Sequence, residues 1–238
     1  MVLPARYASS RFPGKPLAVI SGRPLIEWVH RAALRVAGAA RVVVATDDAR
    51  IADAVRGFGG TVITTRSDHA TGTDRVAEVA KQLRHDIIVN LQGDEPVFDP
   101  QLIVAMVAVF AKHADVDIVT ACHALHKEAD FENPNIVKVV FDMRGRALYF
   151  SRAPVPFGAM ETRGAFRHVG VYAYRRAALL KMAKLPRTAL EVSERLEQLR
   201  ALENGMTIAV VETEHETVGV DVPSDVKKVE KLLQHSLD

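Results

Sequence analysis

Short, β-branched apolar runs alternate along this chain with longer stretches of helical periodicity, and that rhythm constrains the fold more than any other feature. MVL (1–3) is the stub of a strand. RVVVAT (41–46), TVITT (61–65) and DIIVNLQ (86–92) read as further strands, and the all-apolar middle of RVVVAT predicts burial on both faces. Between them, PLIEWVHRAALRVA (24–37) places Leu25, Trp28, Val29, Ala32 and Val36 on one helical face. Asp48 is placed to cap a helix that runs to about Arg56 and stops at Gly57, Gly59 and Gly60. Thr71-Gly72-Thr73-Asp74 reads as a helix start, and Pro100 opens a helix to about Lys112. Residues 1–120 thus alternate strand and helix, which predicts a mostly parallel central sheet with helices on both faces. Such sheets bind ligands beyond the carboxyl ends of their strands.

The second half changes rhythm. IVKVVFD (136–142) and ALYFS (147–151) read as a hairpin turning at Met143-Arg144-Gly145, followed by the strand VGVYAY (169–174). A continuous helix is expected over about 191–203, a strand at MTIAVVE (206–212), and a last helix from Pro223 to near Leu233. This predicts an antiparallel excursion from the parallel sheet. We expect one domain over 1–238, with halves 1–120 and 121–238 meeting where the rhythm changes.

Composition excludes several classes. A net charge of +2 leaves no broad basic face for nucleic acid. No run approaches a membrane span of about 20 apolar residues. The start MVLPARYASSRF has no signal-peptide core, so the chain reads as cytoplasmic. The single cysteine, Cys122, lies in the apolar run VDIVTAC and reads as a core thiol. No His/Cys spacing suits zinc, and no GxGxxG loop is present.

What remains is polar chemistry after strands. The loop PARYASSRFPGKPL (4–17) carries Arg6, Arg11 and Lys15 on a backbone restricted by Pro4, Pro13 and Pro16. Such a loop suits a polyphosphate, or it is simply a solvated basic loop. It is not a Walker A loop, because Ser9 and Pro16 stand where that pattern needs Gly and Ser or Thr. Asp94 follows a buried strand inside the polar cluster Gln92-Gly93-Asp94-Glu95. Asp221 follows VGV and precedes Pro223, where it is either a site acid or a turn former. Arg75 is placed to clamp a carboxylate or to lie on a helix surface. Strand alternation puts His168, Gly170 and Tyr172 on one face. Glu197 and Gln198 fall in mid-helix, ordinarily a solvated position.

With RVVVATDD (41–48), TRSDHATGTDR (65–75), VNLQGDEP (89–96), NPNIVKVV (133–140), ALYFSRAPVP (147–156), RHVGVYAYR (167–175), ERLEQLR (194–200) and GVDVPSD (219–225), that loop resembles the 3-deoxy-manno-octulosonate cytidylyltransferases, or CMP-Kdo synthetases, over essentially the whole chain and in order. The resemblance implies a Rossmann-like nucleotidyltransferase fold. It implies an enzyme of lipopolysaccharide biosynthesis that joins 3-deoxy-manno-octulosonate (Kdo) to CMP from CTP and releases pyrophosphate. It implies Mg2+ held by Asp94 and Asp221, and Arg11 and Lys15, with Arg6, on the phosphates. It further implies a Kdo pocket lined by Arg75, Gln92, His168, Tyr172, Glu197 and Gln198, a homodimer, and a division of roles in which 1–120 is the nucleotide-binding half and 121–238 the sugar-binding and dimerisation half. Pro4, Ala5 and Thr71-Gly72-Thr73 are the candidates for cytosine, with His69 as a turn residue.

Two departures accompany the resemblance. Relatives usually carry several more apolar residues before the PAR motif, and the segment FGAMETRGAFRHVG (157–170) is short. Three rivals stay open: the same reaction on the 8-amino analogue of Kdo, a cytidylyltransferase for sialic acid or a polyol phosphate, and a non-catalytic nucleotide-binding scaffold on the same fold. The ERLEQLR and RHVGVYAY segments argue for Kdo over sialic acid or a polyol phosphate.

Overall fold

A computed structural model describes residues 1–8, 11–162, 164–215 and 217–235. Ser9 and Ser10 of the N-terminal loop and Arg163 of the short segment lie outside the described residues. By internal contact the chain forms two units, Met1–Val104 with Thr217–Asp238, and Ala105–Glu216. Residues 217–238 thus group with the first unit, where the expected division of roles ran 1–120 and 121–238.

In the first unit, β1 (Val2–Pro4), β4 (Val43–Thr46), β5 (Val62–Thr64) and β6 (Ile87–Asn90) pair in parallel, in the order β6-β1-β4-β5. Parallel pairing demands crossovers, and the helical stretches supply them. They are α1 (Leu25–Leu34), α2 (Ala49–Gly57) and α3 (Gly72–Gln82), with α2 packed on β4 and β5 and α3 on β1, β4 and β6. Val43, Val44 and Ala45 are fully buried, as the unbroken apolar run predicts. Asp48 caps α2, its carboxylate accepting from the Arg50 and Ile51 amides at 3.0 and 3.4 Å. Thr71 and Asp74 form a capping box that opens α3. Leu25, Ile26 and Val29 are fully buried on α1, each worth about 1.5–3 kcal/mol of burial. The Trp28 indole donates to the Ile20 carbonyl at 2.8 Å, tying α1 to the small hairpin β2 (Val19–Ile20) and β3 (Arg23–Pro24). The last helix of the chain, α10 (Asp225–His235), also belongs here.

In the second unit, β7 (Ile118–Ala124) pairs in parallel with β11 (Ile208–Glu212) and antiparallel with β10 (Phe166–Arg175). Strand β8 (Lys138–Phe141) pairs antiparallel with β10 and with β9 (Ala147–Ser151). The β8–β9 turn closes through Asp142 and Arg146 at 2.8 Å, so the expected hairpin is present. The fold is therefore a mostly parallel sheet flanked by helices, with an antiparallel excursion. Helices α5 (Glu128–Glu132), α6 (Ala159–Thr162) and α7 (Arg176–Met182) complete this unit, and α4 (Pro100–Lys112) runs across the division.

One expectation fails. The helix expected over 191–203 is two, α8 (Ala189–Glu194) and α9 (Gln198–Glu203). Arg195 adopts a left-handed conformation (φ 55°, ψ 44°), which ends the hydrogen-bond ladder of α8. Glu197 and Gln198 consequently sit at a corner, not in mid-helix. The apolar spacing of Val192, Leu196 and Leu199 persists across the break, so periodicity alone could not reveal it.

Among the described residues no helix is long and apolar enough to cross a membrane. Cys122 is buried, and burial, reinforced by Glu212, pushes its thiol up to about 12.

Candidate functional site

Two acids, Asp94 after β6 and Asp221 in the loop before α10, meet two loop cations in the first unit; the VGV segment before Asp221, expected as a strand, makes only an isolated bridge at Val218. Lys15 opens a short 3-10 turn (Lys15–Leu17) after Gly14, whose φ of 72° lets the loop reverse and whose amide bonds to the Tyr7 carbonyl at 2.8 Å. The Lys15 side chain is mostly buried, and its ammonium pairs with the Asp94 carboxylate and lies 3.6 Å from that of Asp221. Arg11 reaches the other Asp221 oxygen at 3.3 Å. Two cations and two carboxylates thus neutralise one another.

The backbone explains how acids so far apart in sequence come together. Val218 bonds to the Val97 carbonyl and Val220 to the Asp94 carbonyl, each at 2.9 Å, so segments 94–97 and 218–220 form a narrow ribbon. At the turn before Asp94, a Cβ on Gly93 would lie 2.6 Å from the Pro4 carbonyl oxygen, so only glycine lets the turn rest on the end of β1. Beyond the ribbon, the Asp225 carboxylate accepts the amides of Asp221 and Val222 at 2.8 and 3.0 Å. These bonds hold its pKa below the usual carboxylate value and fix the loop that carries Asp221.

The oxygen donors of this cluster fit a magnesium ion. Asp94 and Asp221 both reach one cation, the Lys15 ammonium, and carboxylates completed by phosphate and water oxygens are the donor set that magnesium prefers. Among the described residues no group of three or more His, Cys, Asp or Glu side chains is arranged to hold a metal, so phosphate and water oxygens would have to complete the shell.

The other expected nucleotide residues lie on the same side of this unit. Ala5 bonds to the Ala45 carbonyl at 2.9 Å, and Gly72 at the start of α3 faces the Pro4 ring. Thr71, Gly72 and Thr73 therefore gather near Pro4. Arg75 is only 1% exposed and pairs with Asp47 at 2.9 Å and with the Thr65 hydroxyl. Burial pushes its pKa down, and Asp47 opposes that shift. Its Nε, an Nη of Arg6 and the Asn90 amide oxygen are buried and have no hydrogen-bond partner among the described residues. Such orphaned groups are what a polar ligand satisfies. Gln92 sits at intermediate burial in the turn before Asp94. His69 pairs with Glu78, whose carboxylate also accepts from the Arg66 amide at 3.2 Å, so it braces the loop before α3.

In the second unit, His168 and Tyr172 share one side of β10, their rings 5.4 Å apart. The ladder shifts between Val169 and Tyr172, so that His168 faces Cys122 and Tyr172 faces Thr120. The shift is even, and the shared face survives it. His168 Nε2 lies 2.9 Å from the Thr120 hydroxyl, which has the Val171 and Val169 carbonyls at 2.9 and 3.2 Å. The single hydroxyl hydrogen goes to a carbonyl, so this network assigns the proton to Nε2 and leaves Nδ1 as an acceptor. Burial, then Arg167, pushes the imidazole down to about 3, so it is neutral near pH 7. At the α8–α9 corner, Gln198 is buried and Glu197 lies 3.8 Å from Arg200.

Sequence reasoning missed Asp47, Asn90, Thr120 and Asp225. Asp47 and Asn90 close the strands β4 and β6, and the rule that found Asp94 applies to them equally. Thr120 carries no such signal, because it lies inside an apolar strand.

Comparison with known proteins follows the same lines. A family model described as "Cytidylyltransferase" matches residues 1–208. The 3-deoxy-manno-octulosonate cytidylyltransferase of Geobacter sulfurreducens is 51% identical over 97% of this chain and 98% of its own length. That of Syntrophotalea carbinolica is also 51% identical, over 98% of this chain and 97% of its own. A solved structure of a CMP:2-keto-3-deoxy-manno-octonic acid synthetase complexed with CTP superposes with a TM-score of 0.94 at 44% identity, covering 99% of this chain and 98% of that one.

Proposed function

Since the chain belongs to the 3-deoxy-manno-octulosonate cytidylyltransferases, we propose that it joins Kdo to CMP through the acids and cations gathered around Lys15. It is a nucleotidyltransferase, activating Kdo with CTP to give CMP-Kdo and pyrophosphate for lipopolysaccharide synthesis. The observation that carries the residue assignment is the convergence of Lys15 on Asp94 and Asp221, with Arg11 on Asp221.

The anomeric 2-hydroxyl of the sugar attacks the α-phosphorus of CTP in line. The new oxygen–phosphorus bond forms as the bond to the β-phosphate bridging oxygen breaks, the hydroxyl proton leaves to solvent, and no covalent enzyme intermediate is required. Arg11 and Lys15 exchange their carboxylate partners for phosphate oxygens, and with Arg6 they stabilise charge on the departing pyrophosphate. Asp94 and Asp221 would hold magnesium, which when bound neutralises phosphate charge and lowers the pKa of a coordinated hydroxyl. Pro4, Ala5 and Thr71–Thr73 bind the nucleoside, supported by their proximity at the start of α3. Arg75, Gln92, His168, Tyr172, Glu197 and Gln198 bind the sugar. Neutral His168 offers its Nδ1 lone pair to a sugar hydroxyl and takes no part in proton transfer. Positioning supplies the rest of the rate.

The same reading carries a homodimer, supported by the family resemblance, and a cytoplasmic location, supported by a lone, buried thiol in place of disulfides.

Replacing Asp94 with Asn tests the assignment. The variant is expected to keep the wild-type circular dichroism spectrum and to lose CTP- and Kdo-dependent pyrophosphate release; full activity in a folded variant contradicts it.

A further inference from the structure

The corner that presents Glu197 and Gln198 is built on a conformation that side chains avoid. Arg195 carries φ 55° without being glycine, and such residues persist only where their surroundings determine them. Part of that determination is a buried ion pair across the corner. Arg200 Nε donates to Glu191 at 2.8 Å and an Nη to the other carboxylate oxygen at 2.5 Å, while Arg200 also faces Glu197.

The other part is Glu194, the residue just before the reversal. One of its carboxylate oxygens accepts from the Ser151 hydroxyl at 2.6 Å and the Tyr149 hydroxyl at 3.3 Å; the other accepts the Arg152 amide at 2.9 Å. Its carbonyl accepts from Arg152 Nε, also at 2.9 Å. Burial raises the pKa of Glu194, but the Arg152 amide and the Ser151 hydroxyl outweigh it and hold the group ionised below the usual carboxylate value. The strand end it grips is itself fixed. Fully buried Lys138 donates to the carbonyls of Asn133, Ile136 and Arg152 at 3.0, 2.7 and 2.7 Å.

We propose that Glu194 is a positioning residue for the acceptor sugar. It bolts the strained corner to the end of β9, so that Glu197 and Gln198 are fixed before the sugar arrives, and it sets affinity for the acceptor without touching nucleotide handling. The proposal rests on the assignment of Glu197 and Gln198 to the sugar.

Glu194→Gln is the discriminating change, because it removes the charge and leaves one amide oxygen to accept where two carboxylate oxygens take the Arg152 amide and the two hydroxyls. Steady-state kinetics are read with CTP and Kdo varied separately, and melting is followed by circular dichroism. The loss of one charge-assisted bond predicts a KM for Kdo raised about tenfold, with the KM for CTP unchanged and cooperative melting retained. An unchanged KM for Kdo overturns the proposal, and so does an equal rise in both constants, which marks a merely structural role. Should Glu194→Gln not fold, Ser151→Ala removes one donor, and a KM for Kdo raised about threefold is expected; no change overturns the proposal. Glu197→Ala separates the two layers. If it leaves the KM for Kdo unaltered, the sugar assignment fails; if it raises that KM while Glu194→Gln does not, only the bolt fails.

Discussion

The imidazole of His168 is held neutral by its burial, with Phe150 and Tyr172 packed on it, and by the nearby charge of Arg167. The consequence for stability has a definite sign. The folded group titrates at about 3, below its ordinary value of 6.5, so the unfolded chain takes up a proton first as the pH falls. The contribution of His168 is fully present above pH 6.5 and is lost as the pH drops toward 3. Urea midpoints should therefore fall between about pH 7.5 and about pH 5, and fall less in His168→Gln. An equal fall in both proteins shows that His168 is not the group responsible. At this scale the legible residues were those whose type is rare at their position. Asp94 after a core strand and cations on a proline-bound loop stand out in any reading. Thr120 does not, since a threonine in a strand is ordinary, and its role depends on which hydrogen-bond partner lies across the ladder.

Turns and corners carry several of the proposed site residues, Asp94, Asp221, Glu197 and Gln198 among them, and close approach of the backbone shapes such turns. The QGDEP turn rests on the end of β1 only because Gly93 lacks a Cβ. Gly93→Ala is expected to cost about 1–3 kcal/mol, as overpacking does, and to reduce pyrophosphate release by displacing Asp94. A melting temperature and an activity both equal to wild type contradict that account. The elements themselves were largely readable. Caps at Asp48 and Thr71, the proline at the head of α4, and the hairpin turn at 143–145 are local signals, and each appears where its chemistry requires. The break at Arg195 was not readable, because no glycine or proline marks it and the apolar spacing runs through it. What enforces it is tertiary: the Glu191–Arg200 pair and the grip of Glu194 on β9.

For the molecule as a whole, alternating strand and helix fixed a parallel nucleotide-binding architecture, and the change of rhythm after residue 120 marked the antiparallel excursion. Neither could join Asp221 to Asp94. That meeting depends on residues 217–238 grouping with the first unit, a long-range pairing with no local trace. The substrate likewise follows from ordered motifs and from relatives that match nearly end to end, not from composition. The central claim is that CMP is transferred from CTP to Kdo in particular. Pyrophosphate release from CTP, measured with Kdo, its 8-amino analogue and sialic acid as competing acceptors, tests it most directly. The account predicts release that depends on Kdo and a kcat/KM highest for Kdo; release that ignores the acceptor, preference for another sugar, or no release from folded protein contradicts it.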